Sequence, residues 1–372
     1  MSNKILISPP HISGAEKKYV LDALSGDWIS SKGKYIDSFE KKLQFHINQN
    51  KEVVCLNSGT SAIHLALKQL GVQENDEVIC QSFTFAATAF PVLYQKAIPV
   101  FVDSEPDTWN ICPVLLEKAI KNRIKNGKKP KAILAVHLYG MPYKIDEVQR
   151  IATTYNIPVI EDAAEALGSS YNNVPCGNFG QLAVLSFNGN KIITSAQGGA
   201  IVCNTTKEKE NFIHWATQAK DNLPFYHHSS VGFNYRMSNV LAAIGLAQIE
   251  NLHKKINLRR QVYFRYFSEL DKDLFDFQKE SENSFSNRWM TCILTISRAE
   301  KEKLLKTLIN NGIEALHLWY PLHKQRVFKE FPSFINGTSE HLFNRGLCLP
   351  SGSKLTANEY QKIVAVLKNY KP

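Results

Sequence analysis

The hydrophobic pattern of the chain predicts buried strands that alternate with amphipathic helices. Short apolar runs of strand length recur through the first two hundred residues, and helical patterns separate the first five of them. This alternation predicts an α/β fold with a mostly parallel, doubly wound sheet. The strands are predicted near 52–56, 77–81, 98–102, 131–137, 157–161, 182–187 and 199–203, and the helices near 61–70, 86–96, 113–126 and 144–156.

The pattern changes after the last of these strands. The run NVLAAIGLAQIENLHKKINLRRQVYFRYF, from Asn239 to about Tyr266, is apolar early and basic late and predicts one long connecting helix. Beyond it, RWMTCILTI and the stretch after GIEALHLW predict strands, and ANEYQKIVAVLKNY predicts a closing helix. We therefore predict a large α/β domain over residues 1–250 and a smaller C-terminal α+β domain over residues 251–372.

Lys191 lies between two of the predicted strands. The segment LAVLSFNGNKIITSAQGGAIVCN has turn formers at 188–190 and a second apolar strand at 200–203. A lysine held against buried strands can lose its proton and attack a carbonyl, which is what a lysine that forms a Schiff base requires. The alternative on this stretch alone is an ordinary surface lysine in a hairpin loop.

Three upstream segments favour the first interpretation. IPVIEDAAEALGS ends a strand in Glu161 and Asp162, and ligands bind at the carboxyl ends of parallel strands. VVCLNSGTSAIHLALKQLGV places hydroxyls and amides at the start of a helix, which suits a phosphate, and QSFTFAATA ends a strand in Phe83 and Phe85, which suit a planar ring. An anion cradle, an aromatic ring, an acid and a lysine together indicate a site for pyridoxal phosphate.

Ten motifs in the same order resemble one known family. They are SGTSAIHLAL, QSFTFAAT, FVDSEPDTWN, HLYG, IEDAAEALGS, SFNGNKIIT, GFNYRMSN, SNRW, PLHKQ and LPSGS. They are similar to the DegT/DnrJ/EryC1/StrS sugar aminotransferases, a branch of the fold type I pyridoxal phosphate enzymes, over nearly the whole chain. The resemblance implies fold type I, pyridoxal 5′-phosphate as the cofactor, and a homodimer with a shared active site.

The resemblance assigns roles to the residues around the cofactor. Lys191 would bind the cofactor and move the proton, and Asp162 would hold the pyridinium nitrogen, although the acid could instead cap a following helix. Glu165 would lie near the ring hydroxyl, with a surface glutamate as the alternative. The phosphate would be bound by Thr60, Ser61 and Ser186, of which the first two could simply cap a helix.

Two further cofactor contacts follow from the resemblance. Phe85 would stack on the ring, unless it is a core aromatic residue. Asn234 would reach the phosphate from the neighbouring subunit.

The resemblance also implies contacts with the substrates. Arg236 is a candidate for binding a carboxylate or phosphate, with a buried ion pair as the rival interpretation. The other positions where the family contacts the sugar nucleotide or the amino donor are Trp28, Ser30, Tyr139, Lys220, Arg288 and His323. The chain departs from the family at Gln197. It also has Leu316 at a position where relatives often have an arginine, and the loss of this arginine puts donor or pyrophosphate contacts in doubt.

The implied reaction moves an amino group from L-glutamate to C4 of a nucleotide-linked 4-keto-6-deoxy sugar, with ping-pong kinetics. QSFTF, DSEPDTWN, SFNGNKIIT and SNRW most resemble enzymes acting on UDP-2-acetamido-4-keto-2,6-dideoxyglucose in bacillosamine-type pathways. WISSKGKYIDSFE equally resembles GDP-perosamine synthases. A cofactor-binding regulator without transaminase activity is the alternative from another class.

The composition argues against nucleic-acid binding, metal binding and membrane contact. The net charge is +10, but seven cations fall in LEKAIKNRIKNGKKPK at 116–131, which is typical of a solvated connection, so we expect no nucleic-acid binding. The seven cysteines are scattered and lack metal-binding spacing, so we expect reduced cysteines and no metal. No apolar run is long enough to span a membrane, and MSNKILISPPH lacks the core of a signal peptide, so we expect a cytoplasmic protein without membrane contact.

Overall fold

The computed structural model describes residues 4–371. Its helices are α1 (Ala15–Leu24), α2 (Lys34–Ile47), α3 (Gly59–Gln69), α4 (Phe90–Tyr94), α5 (Pro113–Lys125), α6 (Ile145–Tyr155), α7 (Thr206–Ala216), α8 (Asn239–Ile249), α9 (Leu252–Glu269), α10 (Arg298–Asn310), α11 (Thr338–Arg345) and α12 (Ala357–Lys368). Short 3₁₀ turns cover Ala86–Thr88, Leu138–Gly140 and Leu322–Lys324. No helix among these residues is long and apolar enough to cross a bilayer.

The strands form three sheets. They are β1 (Glu52–Leu56), β2 (Glu77–Gln81), β3 (Ile98–Val102), β4 (Ala132–Val136), β5 (Val159–Asp162), β6 (Ser170–Tyr171), β7 (Val174–Pro175), β8 (Leu182–Ser186), β9 (Gly199–Cys203), β10 (Asp276–Phe277), β11 (Ser284–Phe285), β12 (Thr291–Leu294), β13 (Leu316–His317), β14 (Ser333–Phe334) and β15 (Gly346–Leu349). The large sheet has the order β1-β9-β8-β5-β4-β2-β3-β14, and the smaller ones are β10-β12-β15-β13 and β11-β6-β7.

The large sheet is mostly parallel, which confirms the predicted α/β architecture. The neighbours from β8 through β14 are parallel, whereas β9 runs antiparallel to both β8 and β1. Because β9 is antiparallel to both of its neighbours, β1 points the same way as β8, and seven of the eight strands run in one direction. Apolar clusters cover both faces of this sheet, as a buried parallel sheet requires.

The C-terminal residues do not separate cleanly from the large sheet. β14 pairs with β3 at its edge, and Ile5 near the N-terminus bridges to Ile313 and packs into the C-terminal core. The division at residue 250 therefore remains a prediction about folding units.

Several elements differ from the predicted pattern. The strand predicted after GIEALHLW is wrong, because Leu322–Lys324 form a 3₁₀ turn there and the nearby strand β13 lies within that motif. The long connecting helix breaks between Ile249 and Leu252, where the Asn251 amide donates to the Ala247 carbonyl at 3.4 Å and its backbone N–H to Gln248 at 3.2 Å. A side chain that bonds the backbone locally competes with the helix. The strand GLCL (β15) was not predicted, and it pairs with β12 and β13 in the centre of the small sheet.

Candidate active site

One edge of the large sheet carries a cavity of about 440 Å³. Segments that follow β1, β2, β4, β5 and β8, and the turn before β9, all line it, because parallel strands end together there. The lining residues are Asn57, Ser58, Gly59, Thr60, Ser61, Ile63, Thr84, Phe85, Ala87, Thr88, Val136, Asp162, Ala164, Glu165, Ser186, Asn188, Lys191, Gln197 and Gly198. Seven of the eight predicted cofactor residues are among them, and the exception is Asn234.

The first turn of α3 forms the floor of the cavity. Ser58 caps the helix, since its Oγ accepts the backbone N–H of Ser61 at 3.0 Å. A Cβ placed on Gly59 would lie 3.3 Å from the Cβ of Ser186, so glycine keeps this space open. Helix-start amides next to the hydroxyls of Thr60 and Ser186 make a fitting cradle for a phosphate.

Asp162 ends β5 and projects into the same cavity. It is buried, and its Oδ2 accepts a hydrogen bond from the Thr88 hydroxyl at 2.8 Å, while Thr88 itself contacts Thr84 at 3.0 Å. No helix follows Asp162 in the described chain, because residues 163–169 form turns, so the helix-cap alternative is wrong. Oδ1 accepts the Ala164 amide at 3.2 Å and no other hydrogen bond from residues 4–371, so it remains suited to a ring nitrogen.

Lys191 lies in the connection between β8 and β9, and its side chain is 13% exposed. Its Nζ is 3.4 Å from Oε1 of Glu165 and 4.2 Å from the centre of the Trp289 ring. Burial raises the pKa of Glu165, against the opposing effects of the Lys191 charge and the Tyr139 amide. The alternatives of a surface lysine and a surface glutamate are both wrong, because the two side chains pair inside the cavity.

Phe85 lies at the rim of the cavity. Its side chain is exposed rather than in the core, and its ring is 5.1 Å from that of Trp319. The cavity therefore offers an exposed aromatic face, a carboxylate, an amine and an anion cradle, and this donor set fits pyridoxal phosphate.

Glu161, next to Asp162, turns away from the cavity. It is fully buried, lies 2.6 Å from His137 Nε2, and accepts the amides of Gly177 and Gly180. Cys176 completes a buried group with His137 and Glu161, whose possible ligand atoms all lie within 4.8 Å of one another. Hydrogen bonds already occupy the Glu161 carboxylate, so we interpret the group as structural support for the strand end that carries Asp162.

Two predicted substrate residues are engaged elsewhere. Arg236 is buried against Glu40, with Nη1 at 2.5 Å from Oε1, which is the ion pair given as its rival interpretation. Arg288 has a left-handed φ of 50° and lies under Tyr263, where it contacts the Glu280 carboxylate at 3.3 Å. Neither guanidinium lines the cavity of the described chain, because each is paired with a carboxylate outside it.

Tyr139 and His323 do not line the cavity of the described chain either. The Tyr139 amide donates to Glu165 at 2.6 Å, and its hydroxyl accepts the Trp319 amide at 2.9 Å. His323 Nδ1 lies 2.7 Å from the Ser82 hydroxyl.

The remaining predicted substrate contacts lie on the surface. Trp28 and Ser30 are exposed, and their carbonyls accept hydrogen bonds from Asn239. Lys220 is exposed over the ring of Tyr226, and Asn234 is exposed beside Asn57.

Sequence reasoning missed several residues that line or support the cavity. Thr88 follows Thr84 by four residues, a spacing that places both hydroxyls on one side of a helical turn. Trp289 follows Arg288 directly, and it is the tryptophan rather than the arginine that meets Lys191.

The model of the DegT/DnrJ/EryC1/StrS aminotransferase family matches residues 10–368. The chain belongs to this family. EpsN of Bacillus subtilis (strain 168), which is named as a pyridoxal phosphate-dependent aminotransferase, is 44% identical over 99% of this chain and 96% of its own. GDP-perosamine synthase of Escherichia coli O157:H7 is 38% identical over 95% of this chain and 94% of its own.

A solved structure agrees in fold. Spr1654 of Streptococcus pneumoniae, named as a sugar aminotransferase and solved in its PLP form, matches with a TM-score of 0.90 and 26% identity over 98% of each chain. The chain is therefore a fold type I sugar aminotransferase with pyridoxal phosphate as its cofactor.

Proposed function

We propose that this enzyme transfers the amino group of L-glutamate to C4 of a nucleotide-linked 4-keto-6-deoxy sugar for bacterial surface glycan synthesis. The observation that carries the proposal is the meeting of Lys191, Asp162 and the α3 start in one cavity at the strand ends. When bound, pyridoxal phosphate supplies an electron sink and carries the amino group from one substrate to the other.

The residues of the cavity divide this work. Lys191 Nζ takes the proton from the α-carbon of glutamate and returns one to the sugar carbon in the second half-reaction. Asp162 Oδ1 would accept a hydrogen bond from the ring nitrogen, Glu165 would lie by the ring hydroxyl, and Phe85 would cover one face of the ring. Thr60, Ser61 and Ser186 bind the phosphate.

The preferred sugar is UDP-2-acetamido-4-keto-2,6-dideoxyglucose, on the motifs QSFTF, DSEPDTWN, SFNGNKIIT and SNRW. The second candidate is GDP-4-keto-6-deoxymannose, which the similarity to GDP-perosamine synthases at 34–38% identity favours. Trp28 and Ser30 lie where the family meets the sugar, and their side chains are exposed.

The enzyme would work as a homodimer in which Asn234 of each chain binds the cofactor phosphate of its neighbour. Asn234 lies in the loop over 218–236, in which Leu223, Phe225, Tyr226 and Val231 are exposed in one chain. An exposed apolar group of this size is typical of a surface that a partner covers.

A side-by-side assay tests the proposal. Purified holoenzyme is given glutamate and either the UDP or the GDP keto sugar, and the amino sugar is measured by mass spectrometry. Product with the UDP sugar and parallel double-reciprocal lines are expected, whereas product with the GDP sugar alone selects the second candidate. A visible band that glutamate does not bleach, with no product from either sugar, would indicate the non-catalytic regulator.

A further inference from the structure

A buried cation lies behind the loop that carries Lys191. Arg259, on α9, is 2% exposed, and burial lowers the pKa of its guanidinium to about 10. Among residues 4–371, no carboxylate oxygen lies within the 4.0 Å of an ion pair from its nitrogens. A buried charge without an opposite charge is costly, so its place here needs an explanation other than an ion pair.

The guanidinium donates to three neutral oxygens. Nη1 contacts the Trp289 carbonyl at 2.6 Å and the Ser351 carbonyl at 3.4 Å, and Nη2 contacts Ser8 Oγ at 2.9 Å. These acceptors come from three distant parts of the chain. Arg259 therefore fixes the N-terminal segment and the start of β12 relative to each other.

Two routes lead from this guanidinium to the residue before Lys191. Ser8 Oγ donates to the Asn190 carbonyl at 2.8 Å, and the Trp289 indole Nε1 donates to the same carbonyl at 2.7 Å. The Trp289 ring also lies under Lys191 Nζ. Donation from a cation to Ser8 polarises the hydroxyl and strengthens its own hydrogen bond to Asn190.

We propose that Arg259 is a positioning residue for Lys191, which it holds through Ser8 and Trp289 at the carbonyl of Asn190. The inference rests on the proposed function, in which Lys191 binds the cofactor. A small displacement of a reacting group has a large kinetic effect, so loosening this carbonyl is expected to slow the chemistry of Lys191 without altering glutamate binding.

The test measures how fast apoprotein becomes covalently attached to added pyridoxal phosphate, by borohydride quenching and mass spectrometry. Arg259→Met is expected to slow attachment about 10-fold, and Ser8→Ala, which removes one route, about 3-fold. Arg259→Lys should fall between Arg259→Met and wild type, because one ammonium replaces a planar donor pair. In steady state, kcat should fall while the KM for glutamate stays unchanged.

Arg265→Met is the matched control, because Arg265 lies on the same helix but stacks on Tyr360 at 3.6 Å. Its attachment rate should equal that of wild type. An unchanged rate in Ser8→Ala overturns the proposal, whether or not Arg259→Met folds. Lys191→Ala separates the two hypotheses. Covalent attachment that persists in this variant refutes the proposed function. If Lys191→Ala loses attachment but Ser8→Ala and Arg259→Met attach the cofactor at the normal rate, only the positioning role is refuted.

Discussion

The cofactor side and the substrate side of the active site differ in how much of each a single chain contains. Lys191, Asp162, Glu165 and the start of α3 all fall within residues 57–198 and line one cavity. The predicted substrate residues come from 28–30, 139, 220–236 and 288–323, and none of them lines that cavity. Strand ends thus suffice to gather the predicted cofactor residues, whereas the predicted substrate residues are scattered, and the proposed dimer would have to help complete their site.

The largest expected effect tests the cofactor side. Lys191→Ala should abolish covalent attachment of the cofactor and lower amino transfer by about 10³-fold or more, because no other amine lines the cavity of the described chain. Product formation and mass spectrometry after borohydride reduction measure the two effects. A variant that stays yellow after dialysis and still makes amino sugar would refute the assignment.

Substitution of Glu161, in the buried group that it forms with His137 and Cys176, should have the next largest effect. Burial would raise the pKa of Glu161, but hydrogen bonds from His137, Gly177 and Gly180 outweigh burial and lower it from 4.5. An acid with a lowered pKa stabilises the fold above its unfolded pKa, and this contribution is lost as the pH falls below about 4.5. Glu161→Gln should therefore cost about 3 kcal/mol of unfolding free energy at pH 7 and less toward pH 4.

Urea denaturation at both pH values measures this change. Glu147→Gln, at an exposed acid on α6, is the control and should shift stability by less than about 0.5 kcal/mol. Equal losses at pH 7 and pH 4 in Glu161→Gln would show that the charge of Glu161 is not what stabilises the buried group.

A mixed-dimer experiment tests whether the second chain completes the site. Asn234→Ala removes a hydrogen bond to a charged group and should weaken cofactor binding by about 2 kcal/mol. If Asn234 serves the neighbour, mixing Lys191→Ala with Asn234→Ala chains leaves one intact site in each mixed dimer, so about a quarter of wild-type activity should return when cofactor is limiting. If subunit exchange is confirmed and activity still does not recover, Asn234 belongs to the site of its own chain.

The smallest expected effect concerns the hydrogen bond that orients Asp162. Thr88→Val removes the hydroxyl that donates to Oδ2 at 2.8 Å and should raise the dissociation constant of the cofactor about 5-fold. Thr88→Ser keeps the donor and should behave as wild type in a cofactor titration. Weakening in Thr88→Ser without weakening in Thr88→Val would instead point to the lost methyl contact and contradict the prediction.

Local patterns predicted the parts of the molecule that local physics determines. The strands of the large sheet and the acid at the end of β5 follow from short apolar runs and from the rule that ligands lie at strand ends. The pairing of Arg236 with Glu40, 196 residues away, could not be read from its neighbours in sequence. Arg288 likewise has a left-handed backbone that a strand pattern does not predict.

The residues that were not predicted also owe their roles to contacts between distant parts of the chain. Trp289 matters because the fold places its ring under Lys191 and its indole N–H on the Asn190 carbonyl, contacts that join residues about a hundred positions apart. The sequence motif SNRW marked the position, but the arginine offered more obvious chemistry than the tryptophan. Long-range packing decided which of two adjacent side chains meets the lysine.

The closeness of Trp289 to Lys191 also has an optical consequence. Of the five tryptophans of the chain, this is the one whose ring lies 4.2 Å from the amine. The conjugated cofactor absorbs where indole emits, so energy transfer should quench the emission of Trp289 whenever the cofactor is attached. The protein thus contains its own fluorescent reporter of cofactor occupancy, which needs neither substrate nor label.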